Sequence, residues 1–114
     1  DLGSPASYLA WTQLPNLCAR HGATLRYRPM LLGGVFQATG NASPAMIPAK
    51  GRYMFTDLAR FAQRYGVPFG VPPGFPVNTL TLMRGVTGTQ LHSPDRFEAC
   101  YRCCSPGCGY SAAT

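Results

Sequence analysis

The sequence is short of acid. Four Asp and Glu residues stand against ten Lys and Arg in 114 residues. The four, Asp1, Asp57, Asp95 and Glu98, are too scattered to suggest a carboxylate pair for general acid–base work. Imidazole is scarce as well: His21 and His92 match no metal-module spacing, and His21 reads as a helix-terminus residue. Lysine occurs once, at Lys50, and the arginines are spread along the chain. No basic tail exists, which weighs against a nucleic-acid partner. No apolar run approaches the roughly 20 residues needed to cross a bilayer, and no basic start with an apolar core marks a signal peptide. The expected setting is therefore the cytoplasm, with no membrane partner. The chain also lacks an initiating methionine, so its natural start is expected upstream.

What is present begins with a net charge of +6 and 46% hydrophobic residues. That apolar share is ample for a core and excludes wholesale disorder. The length suits one small domain or a piece of a larger one. The positive balance favours an anionic partner such as a carboxylate-bearing small molecule. One local contrast stands out. Four of the five cysteines, Cys100, Cys103, Cys104 and Cys108, crowd the last fifteen residues. A Cys-x-x-Cys spacing suits zinc or a redox pair, yet a second ligand pair is missing. No metal site is expected there, and a frameshifted tail is the preferred reading.

The first segment opens "DLGSPASYLAWTQLP". Ser4 is a natural N-cap, because its oxygen can accept a backbone N–H, and Pro5 fits the first helical position. Tyr8, Trp11, Leu14 and Cys18 then recur at helical spacing. Pro15 is expected to kink or end that helix, and Gly22 to stop it. "ATLRYRP" alternates, with Leu25 and Tyr27 on one face and Arg26 and Arg28 on the other, which reads as a half-buried strand. Residues 30–50 lack a sustained period and read as a long connection with a short helical turn. "GRYMFTDLARFAQRYG" is the clearest helix, with Met54, Leu58, Phe61 and Tyr65 as its apolar stripe and Gly66 as its end. Shorter helices are expected from Asn78 through Arg84 and from Ser93-Pro94-Asp95 onward. Asn41, in "TGN", reads first as a turn residue, with an amide able to donate to and accept from a polar ligand as the second reading.

Taken together, "SPASYLAWTQLP", "LRYRPMLLGGVFQATGN", "PAKGRYMFTDLARFAQRYGVPF" and "FPVNTLTLMRG" resemble the 2-hydroxychromene-2-carboxylate isomerases and kappa-class glutathione transferases, within the DsbA-like thioredoxin group. The resemblance implies an α/β parent, a thioredoxin-like core with an α-helical insertion. The chain itself is expected to be a mainly α-helical fragment with one or two short strands. Residues 1–29 would be partial core, 30–99 the insertion, and 100–114 an atypical Cys-rich tail. Thiol-exchanging relatives carry Cys-x-x-Cys where this chain has Ser4-Pro5-Ala6-Ser7, and serine forms no mixed disulfide.

The resemblance further implies glutathione as cofactor, with Ser4 as the catalytic residue that stabilises its thiolate. Ser4, Pro5, Ala6 and Asn41 would border glutathione, and Lys50 would contact an anionic substrate. No metal is implied. The expected activity of the intact parent is glutathione-dependent isomerisation of a hydroxychromene carboxylate in aromatic-compound degradation, by a homodimer acting on a small aromatic or electrophilic substrate. A kappa-class-like transferase is the alternative, and a non-catalytic helical binding module the rival from another class. The fragment is expected to be impaired and inactive alone. Family members usually carry an aromatic residue where Ala6 stands, and they are nearly twice as long.

Overall fold

The computed structural model describes residues 1–71 and 74–105. Five α-helices carry the chain: α1 (Pro5–Arg20), α2 (Leu32–Thr39), α3 (Pro48–Tyr65), α4 (Leu80–His92) and α5 (Phe97–Cys104). Short 3-10 turns at Pro44–Met46 and Pro94–Arg96 lead into α3 and α5. The mainly helical expectation holds, but no strand forms among the described residues. "ATLRYRP" does run extended, with Leu25 and Tyr27 half-buried and Arg26 and Arg28 exposed. Its alternation is that of a strand, yet it lacks a neighbour to form a ladder. From α4 the Gln90 side chain donates to its Tyr27 carbonyl at 2.8 Å.

Helix α1 starts as its sequence dictates, with Ser4 as N-cap and Pro5 in the first turn. Pro15 neither ends nor divides it, contrary to expectation, and the helix continues to Arg20. Pro15 is exposed, so the carbonyl that loses its N–H partner can turn to water. Past His21, the C-cap, Gly22 takes φ 62°, and the Ala23 N–H reaches back to the Cys18 carbonyl at 2.9 Å. This positive φ is the reason for glycine there.

The supposed long connection is largely helical. Helix α2 occupies Leu32–Thr39 and ends at Gly40 with φ 67°. Helix α3 begins at Pro48, three residues before the motif that announced it, and ends at Gly66 with φ 66°. Its inward face is Gly51, Met54, Phe55, Leu58 and Ala62, whereas Phe61 and Tyr65 are 40% and 37% exposed. The expected stripe is thus rotated, because Ala62 packs with Tyr8 and Leu9 of α1. Gly51 lets α3 close on the preceding turn. A Cβ there would lie 3.3 Å from both the Cα and the carbonyl oxygen of Ala45.

Helix α4 runs to His92, eight residues beyond the expected end. Thr79 rather than the expected Asn78 takes the N-cap position, while the Asn78 side chain, one residue earlier, accepts the Leu80 N–H at 3.0 Å. Continuation past Gly85 and Gly88 follows from packing, since Val86 is fully buried and clusters with Leu2, Met83 and Phe97. Helix α5 runs through Cys104, into the stretch read from sequence as an atypical Cys-rich tail. Tyr27, Tyr101 and Cys104 pack against the same cluster, and rings of Trp11 and Tyr101 meet at 5.3 Å. Cys108 and the rest of the tail lie outside the described residues.

Two glycines distinguish packing from propensity. Gly85→Ala, in open space inside α4, should raise stability by about 0.5–1 kcal/mol. Gly51→Ala should yield no gain and lower the urea midpoint, because backbone stands in the way. Met83→Ala should cost about 2 kcal/mol or more. Urea titration followed by far-UV circular dichroism checks all three.

Candidate functional site

The N-terminal segment and the starts of three helices converge on one cleft of about 620 Å³. Its floor includes Ser4, Pro5 and Ala6 of the α1 start, and Leu32, Gly33 and Gly34 of the α2 start. Met54 and Leu58 from α3, with Phe75 to Leu80 before and at the start of α4, complete an apolar wall. Phe75 is held edge-on against Phe55, with ring centroids 5.2 Å apart. The cleft's volume falls in the roughly 300–1,000 Å³ range of small-molecule sites.

The Asp1 carboxylate holds this convergence together. One oxygen accepts the Gly3 N–H at 2.7 Å and the Thr79 hydroxyl at 2.9 Å. The other accepts the Leu32 N–H, the first of α2, at 2.7 Å. A negative charge thus satisfies an orphan amide at a helix N-terminus while tying residues 1, 32 and 79 together. Thr79 is 5% exposed, and a Cβ on Gly3 would stand 2.9 Å from its methyl group. The joint is therefore close-fitting.

Ser4 has two functions that local sequence could not separate. Its Oγ accepts the Ser7 N–H at 3.3 Å as a cap, and the same residue lines the cleft. Accepting that bond leaves the hydroxyl proton available as a donor. Pro5 brings no N–H, so Ala6 supplies the first amide of the helix, and its side chain is exposed. Together they set a hydroxyl donor beside the positive end of a 16-residue helix. That arrangement favours an anionic ligand atom.

The other two sequence candidates stand apart. Asn41 follows the Gly40 end of α2, is exposed, and its Oδ1 accepts the Ala42 N–H at 2.9 Å. Lys50 is exposed in the first turn of α3. Neither lines the cleft. Residues not singled out from sequence, above all Asp1 and Thr79, shape it instead. Asn78-Thr79 ahead of an apolar run did signal a helix start, but nothing local signalled contact with Asp1, 78 positions away.

Outside the cleft lining, Trp11, Tyr27, Phe97 and Tyr101 form an aromatic group. Burial pushes the Tyr101 hydroxyl above its ordinary pKa, with a smaller contribution from nearby Tyr27. The Arg102 guanidinium sits 5.9 Å from the centre of the Trp11 ring, within cation–π range. Among the described residues no group of three or more His, Cys, Asp or Glu is placed to hold a metal ion. No helix among them is long and apolar enough to cross a membrane.

The DSBA-like thioredoxin domain matches residues 1–103. A Caenorhabditis elegans glutathione S-transferase kappa 1 is 42% identical over 76 residues, covering 66% of this chain and 34% of its own. The Rattus norvegicus glutathione S-transferase kappa 1 is 32% identical over 103 residues, covering 86% of this chain and 46% of its own. A 2-hydroxychromene-2-carboxylate isomerase from Sphingobium xenophagum is 40% identical over 78 residues, covering 66% and 40%. The chain spans less than half the length of these curated relatives. No solved structure matches.

The Asp1 joint makes a sharp prediction. Asp1→Asn and Thr79→Val should each destabilise, by about 1–3 kcal/mol given the charge-assisted bonds lost. Their double mutant should lose less than the sum, because one bond is common to both. Denaturant midpoints of the four proteins test the coupling, and strict additivity would refute it.

Proposed function

The chain belongs to the DsbA-like thioredoxin domain family, and on that footing we propose that its cleft is the glutathione-binding part of a glutathione-dependent isomerase. The observation that carries this reading is Ser4, which caps α1 and lines the cleft with its hydroxyl proton left to donate. Kappa-class glutathione transferases and 2-hydroxychromene-2-carboxylate isomerases among the relatives supply the chemical class.

The donor set suits glutathione. Ser4 and the α1 N-terminus offer a hydroxyl and a positive dipole end to a sulfur anion, which lowers the pKa of a thiol held there. Pro5 and Ala6 border the same position. The nearby Asp1 carboxylate would oppose an anion, but its oxygens already accept three donors. Met54, Leu58 and Phe75 present an apolar wall against which an aromatic substrate can shed water. When bound, glutathione supplies a thiolate nucleophile. The chain's own contribution is to orient that sulfur, hold it ionised and exclude water beside it. Asn41 and Lys50 receive no contact in this reading.

Isomerisation of a hydroxychromene carboxylate in aromatic-compound degradation is the activity proposed for the whole protein, with the longer parent a homodimer in the cytoplasm. Conjugation of an electrophile, as in the kappa class, is the second reading. It is favoured by the C. elegans relative at 42% identity, and both readings need the same sulfur.

The test is the ionisation of bound glutathione. Thiolate absorbance titrated against pH should show the bound thiol's pKa below that of free glutathione. Ser4→Gly, which keeps the helix entry with only a few tenths of a kcal/mol lost, should raise it by about 1–2 units, the worth of a hydrogen bond to a charged group. Ser4→Thr should restore the shift. A bound thiol indifferent to both changes would sink the role of Ser4. Product analysis with a hydroxychromene carboxylate and with a chlorodinitrobenzene then separates isomerase from transferase.

A further inference from the structure

The cysteines of α5 are not used by the cleft, and their placement on one helix gives them a chemistry of their own. Cys100 and Cys104 are one helical turn apart, so their Cβ atoms face the same side at about 5–6 Å. Both are half-buried and pack against the cluster of Leu2, Met83, Val86 and Phe97. The Thr89 hydroxyl of α4, which donates to the Gly85 carbonyl at 3.0 Å, stands 3.5 Å from the Cys100 sulfur on the neighbouring helix. Cys103, by contrast, is exposed and points off this seam.

We propose that Cys100 and Cys104 form a two-thiol binding site for a soft, three-coordinate thiophile of the monosubstituted arsenic(III) class. Soft sulfur ligands prefer soft centres. Two thiols already side by side make the second bond intramolecular, which multiplies affinity without any new contact. The reaction is a condensation. An arsenic(III) centre bearing one carbon group and two hydroxyls loses both As–O bonds and gains two As–S bonds. Each thiol proton leaves with a hydroxyl as water, and no atom changes oxidation state.

Disulfide formation fits the pair less well. It needs an oxidant and an attacking thiolate, whereas burial, then the neighbouring Cys100, push the Cys104 thiol above its ordinary pKa. A protonated thiol is a poor nucleophile for exchange but a competent partner in a condensation that releases water. Helix α5 need not unwind to close the ring, because both sulfurs already lie along one face.

Phenylarsine oxide added to the full chain, with glutathione in excess as a monothiol competitor, is the experiment. One adduct should persist under glutathione and be removed by a dithiol such as dimercaptopropanol. Alkylation followed by peptide mass spectrometry should find Cys100 and Cys104 protected and Cys103 modified in the unsubstituted protein. Cys100→Ser and Cys104→Ser should each weaken retention roughly 100-fold, the loss expected on reverting to a single contact. Cys103→Ser, Cys18→Ser and Cys108→Ser should leave it intact, and α5 helicity should survive binding. In urea the preference for this pair over Cys103 should vanish. Protection of Cys103 in the folded chain, or retention by Cys100→Ser, would overturn the assignment, as would loss of the adduct on replacing Cys108.

Discussion

One carboxylate organises this chain. The Asp1 side chain accepts from Gly3, Thr79 and Leu32, and in doing so holds the entrances of α2 and α4 against the segment that leads into α1. Each bond satisfies a polar group that packing would otherwise strand, and together they bring residues distant in sequence to one place. The cleft is the space those entrances leave between them. Leu2, the next residue, continues the same joint into the core, where it is 3% exposed and its N–H meets the Met83 sulfur at 3.4 Å. Electrostatic anchoring and hydrophobic burial thus begin at adjacent residues.

The two small cores show how far burial alone carries the structure. One gathers Leu2, Met83, Val86 and Phe97 with Tyr27 and α5. The other joins Tyr8, Leu9 and Ala62 with Trp11, Leu58, Val67 and Phe69. Tyr8 ties the second cluster to the chain beyond α3, donating its hydroxyl to the Pro68 carbonyl at 2.9 Å. Apolar surface remains outside both: Leu91 is 72% exposed, Met46 68% and Ile47 49%.

Local chemistry was legible where the deciding contacts are local. Ser4-Pro5 announced α1, Gly66 its counterpart at the end of α3, and Asn78 the approach to α4, because caps and left-handed glycines act within a turn. Helix α2 was hidden, since two glycines and no period describe it, and its first amide is satisfied by a carboxylate 31 positions away. Pro15 misled for a related reason. The rule against proline concerns a lost bond, and an exposed position allows water to make good the loss. Continuation of α4 and α5 was likewise decided by Val86, Phe97 and Tyr101 meeting across helices, which no window of sequence displays. In the cleft, motif resemblance pointed to Ser4, Pro5 and Ala6, all of which line it, while Asp1 and Thr79 became visible only as partners. Asn41 and Lys50 carried motif value without a place in the lining.

Residues 24–30 separate two properties that a sheet normally joins. Their course is set from one side, by Leu25 and Tyr27 seated against the helices and by Gln90 gripping a single carbonyl. Backbone pairing takes no part in it among the described residues. The segment therefore has order without shielding. Deuterium uptake along it would measure how water reaches the backbone, and would be silent about how firmly the surrounding helices are held.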